Sequence, residues 1–107
     1  MSSASAINVQ RRPAPRISVQ AIGEHRFRVT VQGRTTTTHT VTVSPAYYEK
    51  LTGKRVAPEI LVEQSFTFLL QRESNTSILG AFDLPVIARY FPEYERTIVK
   101  LLQADDG

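Results

Sequence analysis

Cysteine and tryptophan are absent from this chain of 107 residues, and methionine occurs once. The lack of cysteine excludes a disulfide scaffold and any cysteine-ligated metal or iron–sulfur site. No apolar run approaches the roughly 20 residues that a membrane-spanning helix needs, so we expect a soluble protein that does not enter membranes. The first sixteen residues contain no apolar segment of the kind found in secretion signals, and we therefore expect a cytoplasmic protein.

Charge is distributed unevenly along the chain. Residues 1–56 contain nine lysines and arginines but only two acidic residues, a net charge of +7, whereas residues 57–107 have a net charge of −4. This distribution fits a basic surface that binds nucleic acid or a second copy of the chain. It equally fits a solvated surface of uneven charge that binds neither.

The length and composition predict one ordered domain with short flanking segments. Residues 1–16 are small, polar, basic and interrupted by proline, so we expect a disordered basic N-terminal arm. Residues 104–107 form an acidic end that we expect to fray. The ordered domain is therefore predicted over residues 17–103.

Three segments, near residues 17–21, 27–31 and 36–43, alternate apolar and polar residues as strands with one buried face do. In all three the apolar residues have odd numbers. Along an antiparallel pair, the residue numbers of opposed residues have a constant sum, and opposed residues share a face only when that sum is even. An even sum requires that the loop between the two strands contains an odd number of residues. We therefore predict a meander with a first loop at 22–24, closing Ala21 on His25, and a second at 33–35 or 33–37.

Helices are predicted after the strands from capping residues and prolines. Ser44 and Pro45 indicate the start of a first helix and Gly53 its end. A second helix runs from Pro58 to about residue 72 and is apolar over most of its circumference, which predicts a central position. Residues 77–82 are expected to form a turn, followed by helices over 83–90 and from residue 92. The expected fold is α+β, a three-stranded antiparallel meander packed in two layers against three to four C-terminal helices.

Catalytic and phosphate-binding motifs are missing from the sequence. There is no nucleophile elbow, glycine-rich phosphate loop, zinc-protease motif or pair of catalytic carboxylates. Both histidines have odd numbers, so His25 and His39 are expected on the apolar face of the sheet, at its rim. A metal site would need a third ligand that this face lacks. We predict a protein that is not an enzyme and has no catalytic residue, cofactor or metal.

The even-numbered strand residues predict a polar sheet face. Arg26 and Arg28 lie there among hydroxyl and amide side chains, which contact phosphates and base edges in nucleic-acid complexes. No aromatic residue is expected on this face, which disfavours stacking with single-stranded bases. Threonine is also a common residue on solvated strands, so an unoccupied face is the alternative interpretation.

Two resemblances add to this interpretation. Residues 25–94 resemble a widespread family of small bacterial proteins of unknown function, which implies a self-standing domain but no activity. The segments that support this resemblance are THTVTVS at 38–44, YYEKLTG at 47–53, FTFLLQRE at 66–73, SIL at 77–79, FDL at 82–84 and RYFPEY at 89–94.

Residues 40–73 also resemble the ribbon-helix-helix unit of bacterial repressors and antitoxins, in their order of strand, helix, Gly53 and second helix. In that family a strand from each of two subunits enters the major groove. The resemblance implies that Thr40 and Thr42 contact bases and that Lys54 and Arg55 hold phosphates.

Two functions are therefore expected. The first is a non-enzymatic binding or interaction domain of the bacterial cytoplasm with an unidentified protein partner. The alternative is a DNA-binding transcriptional regulator or antitoxin of ribbon-helix-helix type. The residues expected to contact nucleic acid or a partner are Arg26, Arg28, Thr40, Thr42, Lys54 and Arg55.

A two-fold dimer is also predicted, because the second helix and several aromatic residues offer more apolar area than three strands can cover. The competing interpretation is a monomer in which the C-terminal helices cover the second helix within one chain. The expected interface residues are Tyr47, Tyr48, Phe66, Tyr90, Phe91 and Tyr94.

Overall fold

The computed structural model describes residues 16–106, with side chains described for residues 16–103. The expected N-terminal arm lies outside the described residues except for Arg16, which begins the first strand, and Gly107 lies outside them as well. The described part has the α+β class predicted from the sequence. Its elements in chain order are β1 (Arg16–Gly23), β2 (Arg26–Gln32), β3 (Thr36–Thr42), α1 (Pro45–Thr52), α2 (Pro58–Leu70), a 3-10 helix (Asn75–Ser77), β4 (Ala81–Asp83), α3 (Val86–Tyr90) and α4 (Tyr94–Asp106).

The first three strands pair in antiparallel order with the predicted common apolar face. Val29 lies opposite Val19 of β1 and His39 of β3. Gln32 pairs with Thr36, so the second hairpin has the predicted three-residue loop at 33–35. The alternating pattern therefore predicted the strands, and the observed register is one of the two that it left open.

The predicted first loop, at residues 22–24, is wrong. Ala21 pairs with Phe27 and Gly23 pairs with Arg26, which leaves a two-residue turn and an irregularity in β1. This bulge places an extra residue in β1, so a turn with an even number of residues still keeps the apolar residues on one face. Because of the bulge, Ala21 lies opposite Phe27 and not opposite His25 as predicted.

The sheet has four strands rather than the predicted three. Strand β4 pairs with β3 in parallel and completes a mixed sheet of order β1-β2-β3-β4. The amide of Thr40 donates to the carbonyl of Gly80 at 2.8 Å, and the amide of Leu84 donates to the carbonyl of Thr42 at 2.9 Å. The prediction of a turn over 77–82 is therefore wrong for its last residues. A three-residue strand is too short to show periodicity, so it is defined by its partner.

Helix α1 begins and ends as its sequence predicts. The hydroxyl of Ser44 accepts a hydrogen bond from the amide of Tyr47 at 3.2 Å, and Pro45 occupies the first turn. Gly53 has a left-handed backbone with φ 61°, and its amide donates to the carbonyl of Glu49 at 2.7 Å. These contacts satisfy backbone groups that a helix end otherwise leaves unpaired.

Helix α2 is central, as its wide apolar surface predicts. It packs against β1 and β2 on one side and against α4 on the other. Helix α4 contributes Tyr94, Ile98 and Leu102, all buried. The C-terminal helices therefore cover α2 within one chain. The buried residues of α2 are Leu61, Val62, Ser65, Phe66, Phe68 and Leu69.

The helix boundaries after α2 differ from the predictions by a few residues. Helix α3 begins at Val86 and α4 at Tyr94, each a little later than the prolines suggest. Helix α4 continues to Asp106, past the predicted domain end at residue 103. Among residues 16–106, no helix is both long enough and apolar enough to span a bilayer.

Candidate functional site

The outer face of the sheet lies on the side away from α2 and is a candidate functional surface. Its side chains are those of the even-numbered strand residues, because the odd-numbered residues of the same strands pack into the core against α2. Arg28 lies between Gln20 and Thr40 in the register, and Arg26 lies beside Thr42. Besides these, the face includes Arg16, Ser18, Thr30, Gln32, Thr36 and Thr38.

This outer face is positively charged. Arg16, Arg26 and Arg28 are exposed, and none forms an ion pair with a carboxylate among residues 16–103. Asp83, beside Thr42, is the acidic residue that the described strands place on this face. Guanidinium groups with free hydrogen-bond donors among hydroxyls are suited to phosphate oxygens.

The two sets of residues expected to contact nucleic acid lie on different layers. Arg26, Arg28, Thr40 and Thr42 share the outer sheet face. Lys54 and Arg55 follow Gly53 in the α1–α2 loop, and Arg55 lines a small cavity of about 40 Å³ with residues of α4. The structure therefore does not bring Lys54 and Arg55 together with the arginines of the sheet.

The predicted positions of the two histidines are half correct. His25 is exposed in the first turn with φ 63°, so its placement on the apolar face is wrong. The bulge in β1 takes the turn out of the strand alternation, and histidine tolerates the left-handed region better than most side chains do. His39 lies on the apolar face as predicted but is buried rather than at the rim, with 3% of its surface accessible.

His39 is fully hydrogen-bonded. Its Nδ1 lies 2.7 Å from the carbonyl oxygen of Leu79 and must donate to it, so in the neutral ring Nε2 accepts from the hydroxyl of Thr37 at 2.8 Å. The amide nitrogen of Asn75 in turn donates to the Thr37 hydroxyl at 2.8 Å. This chain of contacts links β3 to the segment before β4 and gives His39 a structural role. No local sequence pattern indicates this contact of Asn75, which lies 38 residues from Thr37 along the chain.

Tyr47 and Glu95 form a polar contact between α1 and α4. The Tyr47 hydroxyl donates to Glu95 Oε2 at 2.7 Å, and the Lys50 ammonium lies 3.3 Å from Oε1. The hydrogen bond from Tyr47, followed by the contacts with Lys50, holds the pKa of Glu95 below its usual range. Burial, with the carboxylate beside it, raises the pKa of Tyr47. A carboxylate stabilised in its charged form and a tyrosine held neutral are suited to joining helices rather than to proton transfer.

An apolar groove opens at the other end of the helical layer, between α2, β4 and α3. Its volume is about 230 Å³, and its polar lining residues are Glu73 and Ser77. Leu79 and Tyr90 stand at its border and are strongly exposed. The other residues that line it are Leu69, Ile78, Phe82, Val86, Ile87 and Phe91.

Half of the six residues predicted for a dimer interface are buried inside the molecule. Phe66 and Tyr94 are fully buried and Tyr47 nearly so, so they are not available for contact with another chain. Tyr48 is half-buried and its hydroxyl donates to the carbonyl of Val56. Tyr90 is exposed and Phe91 half-buried beside the groove. This burial fits the competing interpretation of the sequence, in which the C-terminal helices cover the second helix within one chain.

Metal ligands do not cluster in the described residues, where no three histidine or acidic side chains lie close enough to hold an ion. No family model, curated protein or solved structure matches the chain. The outer sheet face and the apolar groove are therefore the two features from which a function can be argued.

Proposed function

We propose that this protein is a non-enzymatic binding domain that contacts the phosphate backbone of nucleic acid through the outer face of its sheet. The observation that supports this proposal is the set of three exposed arginines, Arg16, Arg26 and Arg28, without carboxylate partners in the described chain. With three arginines and one acidic residue, Asp83, the face retains a net positive charge. Such a basic face attracts polyanions and releases their counterions on binding.

The threonines of this face favour nucleic acid over an acidic protein surface. Thr40 flanks Arg28 and Thr42 flanks Arg26, so each of these arginines has a hydroxyl group beside it. Hydroxyls and guanidinium groups together supply the donors most often used for phosphate oxygens. The strands place no aromatic side chain on the face, so we expect phosphate contacts with a duplex rather than base stacking with a single strand.

The binding mode proposed here differs from that of ribbon-helix-helix proteins. Strand β3 is paired on both sides, with β2 and with β4, so its backbone edges are occupied within the chain. Thr40 and Thr42 would then contact nucleic acid as part of a broad sheet face rather than as a two-stranded ribbon in the major groove. Specificity for one sequence is not required by this mode.

Fluorescence anisotropy with a labelled duplex DNA of random sequence tests the proposal. Three phosphate contacts predict that log K falls with log salt with a slope of about −2.7. The double substitution Arg26→Gln and Arg28→Gln should reduce the magnitude of that slope by about 1.8 and weaken binding about 10-fold or more at about 50 mM salt. An unlabelled single strand is expected to compete no better than the duplex.

A matched control removes the same charge from the helical layer. Arg96 and Lys100 are exposed on α4, and their double substitution by glutamine should leave the slope within about 0.5 of the unmodified protein. Equal losses in the two double variants would show a general charge effect and contradict the proposed face. Absence of binding at about 50 mM salt would contradict nucleic-acid binding itself.

A further inference from the structure

Leu79 and Tyr90 are the large apolar residues that remain strongly exposed in the described chain, with 48% and 67% of their surfaces accessible. They come from different segments, before β4 and at the end of α3, yet both border the apolar groove. Single exposed apolar residues are ordinary, whereas an apolar recess flanked by two of them indicates a contact surface.

The volume of the groove limits what can occupy it. At about 230 Å³ it exceeds the roughly 150 Å³ apolar cavity that accepts benzene. It is smaller than the roughly 300 Å³ at which sites for larger organic ligands begin. The groove therefore has room for one aromatic ring, such as the side chain of a tyrosine.

Charged groups of opposite sign flank the groove. Glu73 is half-buried in its wall, and Arg89 is exposed on α3, next to Tyr90 and one helical turn from Val86. Neither Glu73 nor Arg89 forms an ion pair among residues 16–103. One patch thus contains the exposed ring of Tyr90, a groove large enough for such a ring, the carboxylate of Glu73 and the guanidinium group of Arg89.

We propose that this patch is the interface of a two-fold dimer, in which Tyr90 of each copy enters the groove of the other. In the same arrangement Glu73 of each copy faces Arg89 of the second copy. A two-fold interface must be complementary to itself, and this patch has both halves of an apolar and of an electrostatic contact. The dimer uses a different surface from the nucleic-acid proposal and leaves the outer sheet face free.

Sedimentation equilibrium of the full chain at about 100 μM tests the dimer, for which we expect twice the chain mass of 12.0 kDa. Tyr90→Ala should raise the dimer dissociation constant about 10-fold or more, because truncation of a buried aromatic anchor is costly. Tyr90→Phe retains the ring and should stay within about 3-fold of the unmodified protein.

A charge exchange tests the pairing of the two copies independently. Glu73→Arg and Arg89→Glu should each weaken the dimer about 10-fold, and their combination should restore it to within about 3-fold. Arg96→Glu, exposed on α4, is the control and should have no effect. Thermal unfolding of each variant checks that it remains folded.

Two results would overturn the proposal. The first is a mass of 12.0 kDa at about 100 μM, since a specific dimer should be well populated there. The second is a dimer that neither Tyr90→Ala nor the charge exchange affects, which would place the interface elsewhere.

Discussion

Replacement of Ser65 by alanine is expected to destabilise the fold more than removal of the Tyr94 hydroxyl, although both changes break the same buried hydrogen bond. The Ser65 hydroxyl donates its one proton to the carbonyl of Leu61 at 2.7 Å. Tyr94 must therefore donate to Ser65 Oγ, across a distance of 2.6 Å. Ser65→Ala leaves the tyrosine hydroxyl buried without an acceptor, whereas Tyr94→Phe leaves Ser65 bonded to Leu61.

The expected free energies follow from this asymmetry. Tyr94→Phe should cost about 1 kcal/mol, the usual net value of one hydrogen bond. Ser65→Ala should cost about 2 kcal/mol, because burial of an unpaired hydroxyl outweighs the roughly 0.5 kcal/mol that alanine gains in helix propensity. The double variant should be more stable than Ser65→Ala alone by about 1 kcal/mol, since it contains no unpaired hydroxyl.

Urea denaturation of the full chain, followed by circular dichroism, measures the free energy of unfolding, with an unchanged m value as the check on two-state behaviour. Thr67→Ala is the matched control, because the Thr67 hydroxyl also bonds back to a carbonyl in α2, that of Glu63, and no other described group depends on it. The proposed direction of the Tyr94–Ser65 hydrogen bond is contradicted if Ser65→Ala costs no more than Tyr94→Phe, or if the two costs simply add.

Three further outcomes are expected. Gly53→Ala should lower the free energy of unfolding by about 1 kcal/mol in urea denaturation, because Gly53 has a left-handed backbone with φ 61°. Gly80→Ala should be nearly neutral, because the space around Gly80 is open, and equal costs in the two variants would contradict the conformational explanation. Tyr47→Phe should raise the pKa of Glu95 toward its usual range in an NMR titration, and an unchanged pKa would be inconsistent with the hydrogen bond. A lowered folded-state pKa stabilises the fold above the unfolded pKa, and this stabilisation is lost as pH falls through the folded pKa, so the variant should lose less stability on acidification. Asn75→Ala should cost about 1–2 kcal/mol in thermal unfolding, because it removes the donor to the Thr37 hydroxyl and to the Thr35 carbonyl, and a neutral effect would count against this link.

Local periodicity and capping residues are sufficient to predict several parts of the fold. The period of two in β1, β2 and β3 predicts three antiparallel strands with one apolar face and the outer face with Arg26 and Arg28. It leaves the second loop open between 33–35 and 33–37, and it does not reveal the bulge that sets the register of β1. Ser44 and Gly53 were sufficient for the bounds of α1. Side-chain alternation and the backbone demands of helix ends are properties of adjacent residues, so one chain without its fold already expresses them.

Contacts between distant segments depend on the packing of the whole chain. Strand β4 exists because its three residues reach the free edge of β3, and the His39 ring is satisfied by Leu79, 40 residues further along the chain. Phe66 and Tyr94 are buried because α4 packs across α2, whereas Tyr90 remains exposed. Such contacts form because folding reduces exposed apolar area and unpaired polar groups over the whole molecule. A local sequence pattern covers only adjacent residues, so it does not predict these contacts.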